Sequence, residues 1–473
     1  MSEALREGQL LQQRERAVLA NPRFRTLWLA QIFSQVSQNA ILFALLVIVL
    51  NKTSSTMNTS ILVLTYVIPS LLFSMVAGVL VDRWRKKNVL ITTSVFRCAA
   101  AVAFLLSKDH IGAIFAVNAA FSAVGQFFAT AEVACVPSLV PRNQLIAANS
   151  LVSLAFTGGQ FVGIVFFAPI LLKAFGPEVL FIAMGLFFLI AAGLAWRLPD
   201  MEHDRDVEEA QEERFFQTAP RELAQALRLL RSDPASCLAM AQLTLSSSLV
   251  LLFAVLVPRF MQAVLAVRPE DAVYVFAPTG VGAILGLRLL PWLAAKIGKD
   301  RVVAFGLIGL TACLAAMGLV QTMADLLQKV GPLNPFGKER LGGLSLLVAL
   351  TMFIAGPLGL AYAMVNAPAQ TVLHERAPPE LRGRVFGAQL ALASLAAIIP
   401  LLLVGAVADI YGVSLVLFAI AVVVAAMAAL SIYMLERQDG RAALATAGGA
   451  YPASAEGSNE SDTASIDSGK GVG

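Results

Sequence analysis

Charge is scarce in this 473-residue chain: Lys, Arg, Asp and Glu make up 14% of it, against 58% hydrophobic residues. A soluble surface needs roughly a quarter of its residues charged, so a string of water-soluble domains is excluded. Cysteine is sparse as well. Cys98, Cys135, Cys237 and Cys313 fall singly inside apolar runs without C-x-x-C spacing, so neither a disulfide framework nor a metal site is implied. The N-terminus, Met1 to Arg25, is polar and arginine-rich and lacks the short apolar core and cleavage site of a signal peptide; it reads as a cytoplasmic tail. Phosphate-binding loops, catalytic triads and metal clusters do not appear either, so no enzyme, no cofactor and no direct use of ATP is expected. The net charge of +4 is modest and lies mostly in expected inner loops, where it reports topology and not nucleic-acid binding.

What the chain has in abundance is apolar runs of about 20 residues, the length that crosses a bilayer core as a helix. They run at 26–50, 59–81, 89–107, 111–134, 146–174 and 178–196, then at 235–262, 272–295, 301–322, 343–370, 385–409 and 412–435. That makes about twelve spans with both termini on one side. The turn after the second run, Gly78-Val79-Leu80-Val81-Asp82-Arg83-Trp84-Arg85-Lys86-Lys87, carries one carboxylate and four cations. It cannot sit in hydrocarbon, and its cations place it and both termini at the cytoplasmic face of a cell membrane. The expected organisation is a tail (1–25), a six-helix bundle (26–197), a cytoplasmic linker with an amphipathic helix (198–233), a second bundle (234–436) and a disordered tail (437–473).

The halves look like diverged copies. Pro137 to Leu145 and His374 to Arg384 are short Pro-marked polar loops at matching places, and Pro291 to Lys299 matches the Asp82 turn without its acid. Two six-span repeats with a site between them is a transporter layout. Candidate site residues follow from the cost of polarity in lipid. Gln31, Gln35, Gln38 and Asn39 share one face of the first span, which predicts a cavity wall, with interhelical packing as the alternative. Gln242 on span seven, Tyr362, Asn366 and Gln370 on span ten and Gln389 on span eleven join that cavity if the repeats meet face to face. Glu132 is a carboxylate inside span four: a proton-coupling group, or half of a structural ion pair with Lys86 or Arg97. Arg97 and Arg288 are mid-span cations; Arg288 reads as a contact for an anionic substrate or as a side chain snorkelling to headgroups.

Gly78-x-x-x-Asp82-Arg83-x-x-Lys86-Lys87 resembles the signature loop of the major facilitator superfamily. Asn21-Pro22-x-Phe24-Arg25-x-Leu27-Trp28 and Glu380-Leu381-Arg382-Gly383-Arg384-Val385-Phe386-Gly387 resemble its exporter branch, which includes macrolide-efflux and siderophore-exporter proteins. The likeness spans about residues 20–436 and departs from the pattern at Arg85, where the loop usually has glycine. It implies an all-α fold of two pseudo-symmetric six-helix bundles. It also implies a conformational latch in which Asp82, with Gly78, Arg83 and Lys86, faces the start of the eleventh helix near Arg384 and Gly387, and Lys86 bridges to Glu132. A helix N-terminus carries roughly half a positive charge, which suits such a carboxylate. The function expected is secondary active transport of small amphipathic organic molecules, as proton-coupled efflux by a monomer. An importer or flippase for an anionic amphiphile such as a lysophospholipid, and a transporter-like sensor or scaffold without turnover, stand as alternatives.

Overall fold

The computed structural model describes residues 17–107, 109–141, 144–200, 233–329, 345–376 and 382–448. Among them the ordered secondary structure is helical. Asn21 starts α1 (Pro22–Thr53): its side chain accepts the N–H groups of Arg23 at 3.0 Å and Phe24 at 3.5 Å. Pro22 occupies the first turn, where its missing donor costs nothing. Asn21 also donates to the Leu139 carbonyl at 2.8 Å, tying the start of α1 to the end of α4.

Next come α2 (Thr56–Arg83), α3 (Lys86–Leu106) and α4 (Ile111–Leu139). Helix α5 (Leu145–Phe161) passes through a π-helical turn, Val162–Phe167, into α6 (Ala168–Trp196). The apolar stretch Ala147–Trp196 has 50 residues. As one helix it would measure about 75 Å, more than twice a ~30 Å hydrocarbon core. Gly176, at φ 84° and ψ 175°, breaks it just before Pro177 and turns it into two crossings. With that stretch counted twice, the 11 long apolar helical stretches among the described residues give the twelve expected spans.

The second half consists of α7 (Pro234–Ala263), α8 (Ala272–Ile297), α9 (Lys299–Gly318, followed by the short helix Val320–Lys329), α10 (Leu346–Arg376), α11 (Arg382–Tyr411) and α12 (Val413–Gly448). Asp233 caps α7 through the N–H groups of Ala235 and Ser236 and pairs with Arg376 at 3.0 Å, joining the start of α7 to the end of α10. Burial raises the Asp233 carboxyl, but the Ser236 hydrogen bonds and Arg376 outweigh it and hold the group below its ordinary range. Its contribution is therefore complete above about pH 4 and fades as the pH falls further. Helix α12 continues to Gly448, beyond the boundary at 436 from which a disordered tail is predicted. Good helix formers in Ala442-Ala443-Leu444-Ala445 account for the extension. The expected linker helix and the remainder of the tail lie outside the described residues.

Spans one to six and seven to twelve pack into two bundles, and α2 against α11 is the main meeting between them. By alternation, the Asp82 turn, the start of α1 and the end of α12 lie at one end of the molecule, called here the basic end. The α1–α2 turn lies at the far end. Inside the first bundle, Phe104, Phe121, Phe181 and Phe188 make an aromatic core with ring centroids 5.8–5.9 Å apart. Helix α5 lies very close to α1, because a Cβ on Gly159 would stand 2.7 Å from the Gln35 Cβ and one on Gly163 would stand 3.1 Å from the Asn39 Cβ. Gly159→Val should overpack this crossing and destabilise the protein by about 1–3 kcal/mol. The thermal unfolding midpoint of purified protein in detergent reads the effect.

Candidate functional site

The best-defined polar site lies inside the first bundle. Arg97 of α3 is 2% exposed, and Glu132 of α4 is equally buried. A guanidinium at this depth needs several acceptors, and the fold supplies them from two helices. One Arg97 Nη donates to Ser34 Oγ of α1 at 2.6 Å, and the other donates to Gln38 Oε1. Gln38 donates in turn to the Tyr66 hydroxyl of α2, and the Tyr66 carbonyl accepts from Ser122 at 2.5 Å. The rings of Phe121, Phe128 and Phe188 surround the guanidinium at 5.2–5.4 Å, which adds cation–π attraction. Gly125 makes room, since a Cβ there would stand 2.8 Å from the nearer Nη.

Glu132 is the odd member. Its Oε1 is buried without a hydrogen-bond partner, as is Arg97 Nε. Among the described residues Glu132 forms no ion pair with Arg97 or Lys86, so the expected structural pairing is not made in this state. A buried carboxylate with an open oxygen next to a hydrogen-bonded cation is a site that can take up and release a proton.

The amide row of α1 divides. Gln38, with Ser34, belongs to the Arg97 cluster. Gln31, Gln35 and Asn39 are buried against α5: Gln31 donates to the Val152 carbonyl at 3.1 Å and Asn39 to the Gln35 carbonyl at 2.8 Å. The expectation of an open cavity wall is corrected for these three. Glycines on the facing helix bring the backbones too close for a water layer, so the amides serve interhelical packing.

In the second bundle, Gln242 donates to Ser431 of α12 at 3.0 Å, and Gln389 meets Ser247 of α7 at 3.5 Å; both are internal ties. Tyr362 and Asn366 are half-buried and Gln370 is exposed, at helical spacing along α10. None of the three hydrogen-bonds another side chain among the described residues. Arg288 is exposed and lies on the α8 stripe of Gly280 and Ile284. At the other end of that stripe Phe161 of α5 rests on Gly280. Arg288 lies about two helical turns from that contact and is exposed.

Tyr66 and Ser122 belong to the polar cluster but were not singled out by sequence. A tyrosine and a serine in apolar helices carry no pattern of their own. Of the latch residues, Gly78 and Arg83 are placed near the end of α2 and Lys86 at the start of α3. The side chains of Asp82, Arg384 and their neighbours around Gly387 lie outside the described residues.

The two halves are joined at the far end. Gln262 of α7 donates to Asn51 at 2.5 Å, Lys173 pairs with Asp271 at 2.5 Å, and Asp409 of α11 accepts from Ser55, Thr56 and Met57. At the basic end, the pairs Lys87–Asp200, Lys299–Glu375 and Arg376–Asp233 each stay within one half. Helix α2 shows the same asymmetry. Thr56, Ser60, Leu62, Val63 and Val67 are buried, while Leu72, Phe73 and Val76 nearer the basic end are exposed.

Replacing Arg97 with Lys keeps the charge but loses the fork that reaches Ser34 and Gln38 together. Arg97→Lys should cost about 2 kcal/mol, the scale of a lost charged hydrogen bond, read as a lower unfolding temperature in detergent.

Comparison with known proteins agrees with this architecture. The family model described as Major Facilitator Superfamily matches residues 27–399. An uncharacterized MFS-type transporter, YfiS of Bacillus subtilis (strain 168), is 24% identical over 370 residues, covering 76% of this chain and 81% of its own length. Among solved structures, the POT family transporter PepTSo superposes with a TM-score of 0.64 at 13% identity, covering 88% of this chain and 99% of its own. The nucleoside transporter NupG gives 0.63 at 12% identity, covering 87% and 98%. The family match and the twelve spans in two bundles lead to one conclusion: this chain is a multi-pass membrane protein that belongs to the major facilitator superfamily of secondary transporters.

Proposed function

We propose that the protein exports small amphipathic organic molecules across the cell membrane in exchange for protons, working as a monomer with both termini cytoplasmic. The observation that carries this reading is a far end tied by polar contacts, which makes the basic end the one to open, together with Glu132, buried inside the first bundle with an oxygen that has no hydrogen-bond partner. In this orientation the site loads from the cytoplasm. Substrate enters between the bundles and meets the stripe of Tyr362, Asn366 and Gln370. Return to the other state closes the basic end, with Asp82 coming to the N-terminus of α11, where a carboxylate is favourable. Glu132 is the coupling group: neutral it suits a buried site, and charged it draws on Arg97. The likeness of the Asn21 and Glu380 segments to the exporter branch supports the direction.

A second reading, uptake or flipping of an anionic amphiphile, rests on Arg288. A cation exposed on α8 is placed to meet a headgroup whose tail remains in lipid.

Two variants test the proposal in proteoliposomes with an imposed ΔpH. Glu132→Gln should leave protein yield intact and make flux indifferent to ΔpH; persistence of the dependence would give that residue a structural role only. Asp82→Asn should slow flux several-fold, as the ~0.5–2 kcal/mol of a carboxylate at a helix N-terminus requires. Flux in Asp82→Asn equal to the parent would remove the latch.

A further inference from the structure

The far-end contact of Asp409 is a helix cap supplied from the other half of the molecule. The first turn of any helix has N–H groups without partners. At the start of α2, Ser55 satisfies the Asn58 N–H at 3.3 Å. The Thr56 and Met57 N–H groups go to the Asp409 carboxylate at 2.7 and 3.0 Å, and Ser55 Oγ donates to it at 2.7 Å. One carboxylate of α11 therefore completes the cap of α2 across the inter-half boundary. Gly405, one turn earlier, allows the approach: a Cβ there would stand 2.9 Å from the Met57 Cα and from the Ser60 Cβ.

Gly405-Ala406-Val407-Ala408-Asp409 has the same spacing as Gly78-Val79-Leu80-Val81-Asp82. Each ends a helix of the same pair, α11 at the far end and α2 at the basic end. They differ in occupancy. Gly405 is packed against α2, whereas a Cβ on Gly78 would meet nothing within 4 Å. The far-end copy is engaged, whereas at the basic end Gly78 is packed against nothing among the described residues.

We propose that α2 and α11 carry a reciprocal pair of G-x-x-x-D caps, and that the transport cycle exchanges one for the other. With Gly405 and Asp409 seated on the start of α2, the far end is sealed and the basic end open. With Gly78 and Asp82 seated on the start of α11, the seals reverse. Asp409 is thus a gate residue that sets the balance between the two states, and it touches neither substrate nor coupling ion. This rests on the two-state transport reading above.

The test uses full-length protein with Cys98, Cys135, Cys237 and Cys313 replaced by Ser and a single reporter, Ser60→Cys, at a position 0% exposed in this state. A membrane-impermeant maleimide is applied to right-side-out and to inverted vesicles. Asp409→Asn should speed labelling from the far-end side by about tenfold, the scale set by one charge-assisted hydrogen bond. Asp82→Asn should leave that rate unchanged or lower it. Parent-rate labelling in Asp409→Asn, or an equal rise in Asp82→Asn, overturns the cap exchange. If Asp409→Asn is not recovered folded, Gly405→Ala decides on the same terms, because its added methyl pushes α11 off Met57. Flux measured in the same vesicles separates the two readings: a labelling shift in a protein without flux removes transport alone, and flux without a shift removes the cap exchange alone.

Discussion

Polar groups inside hydrocarbon must find partners within the protein, and most of what is specific in this structure follows from that constraint. Backbone groups meet it by forming helices. Side chains meet it in clusters, and Arg97 shows the principle best. It draws on Ser34 and Gln38 of α1 and on three phenylalanine rings. The first bundle is thereby tied at its centre by one cation. The same constraint leaves Glu132 in tension, since it is buried as deeply but has an oxygen without a partner. A structure in which Arg97 and its neighbour Glu132 each keep a buried polar atom without a partner has a built-in reason to change with the carboxylate's protonation.

The joints between halves obey a different rule. At the far end they combine polar ties (an amide pair, an ion pair and a cap) with the apolar packing of α2 on α11. Such polar ties are individually small because water competes for them. That suits surfaces which must separate and rejoin in every cycle. Within each half, by contrast, helices meet over close apolar crossings and aromatic cores. The division of labour lets each bundle move as a unit.

Much of the fold was legible in the sequence because span length and charge placement have direct physical causes. The Asp82 turn, the twelve spans and the buried depth of Arg97 and Glu132 all follow from the price of charge in lipid. The pairing of side chains was not legible. Gln31, Gln35 and Asn39 have the spacing of a polar face whether that face meets water or another helix. What decides is Gly159 and Gly163 on α5, and no pattern within α1 reveals them. The Gly405–Asp409 spacing was visible, but no cations follow it as they follow Asp82, and a lone acid at a helix end reads as a boundary.

The π-helical turn Val162–Phe167 has a consequence for how α5 tolerates change. A turn of this kind amounts to one extra residue accommodated within a continuous helix. It shifts the angular phase of everything beyond it, so Ile170 faces a direction, relative to Phe161, that an uninterrupted α-helix would not give it. Losing a single residue there would let ordinary winding resume with the following segment facing as before, whereas losing one more would swing that segment, up to Gly176, by about 100°. Apolar flank and seam would trade places with no change in composition. Length, more than residue identity, is what this short segment has to preserve.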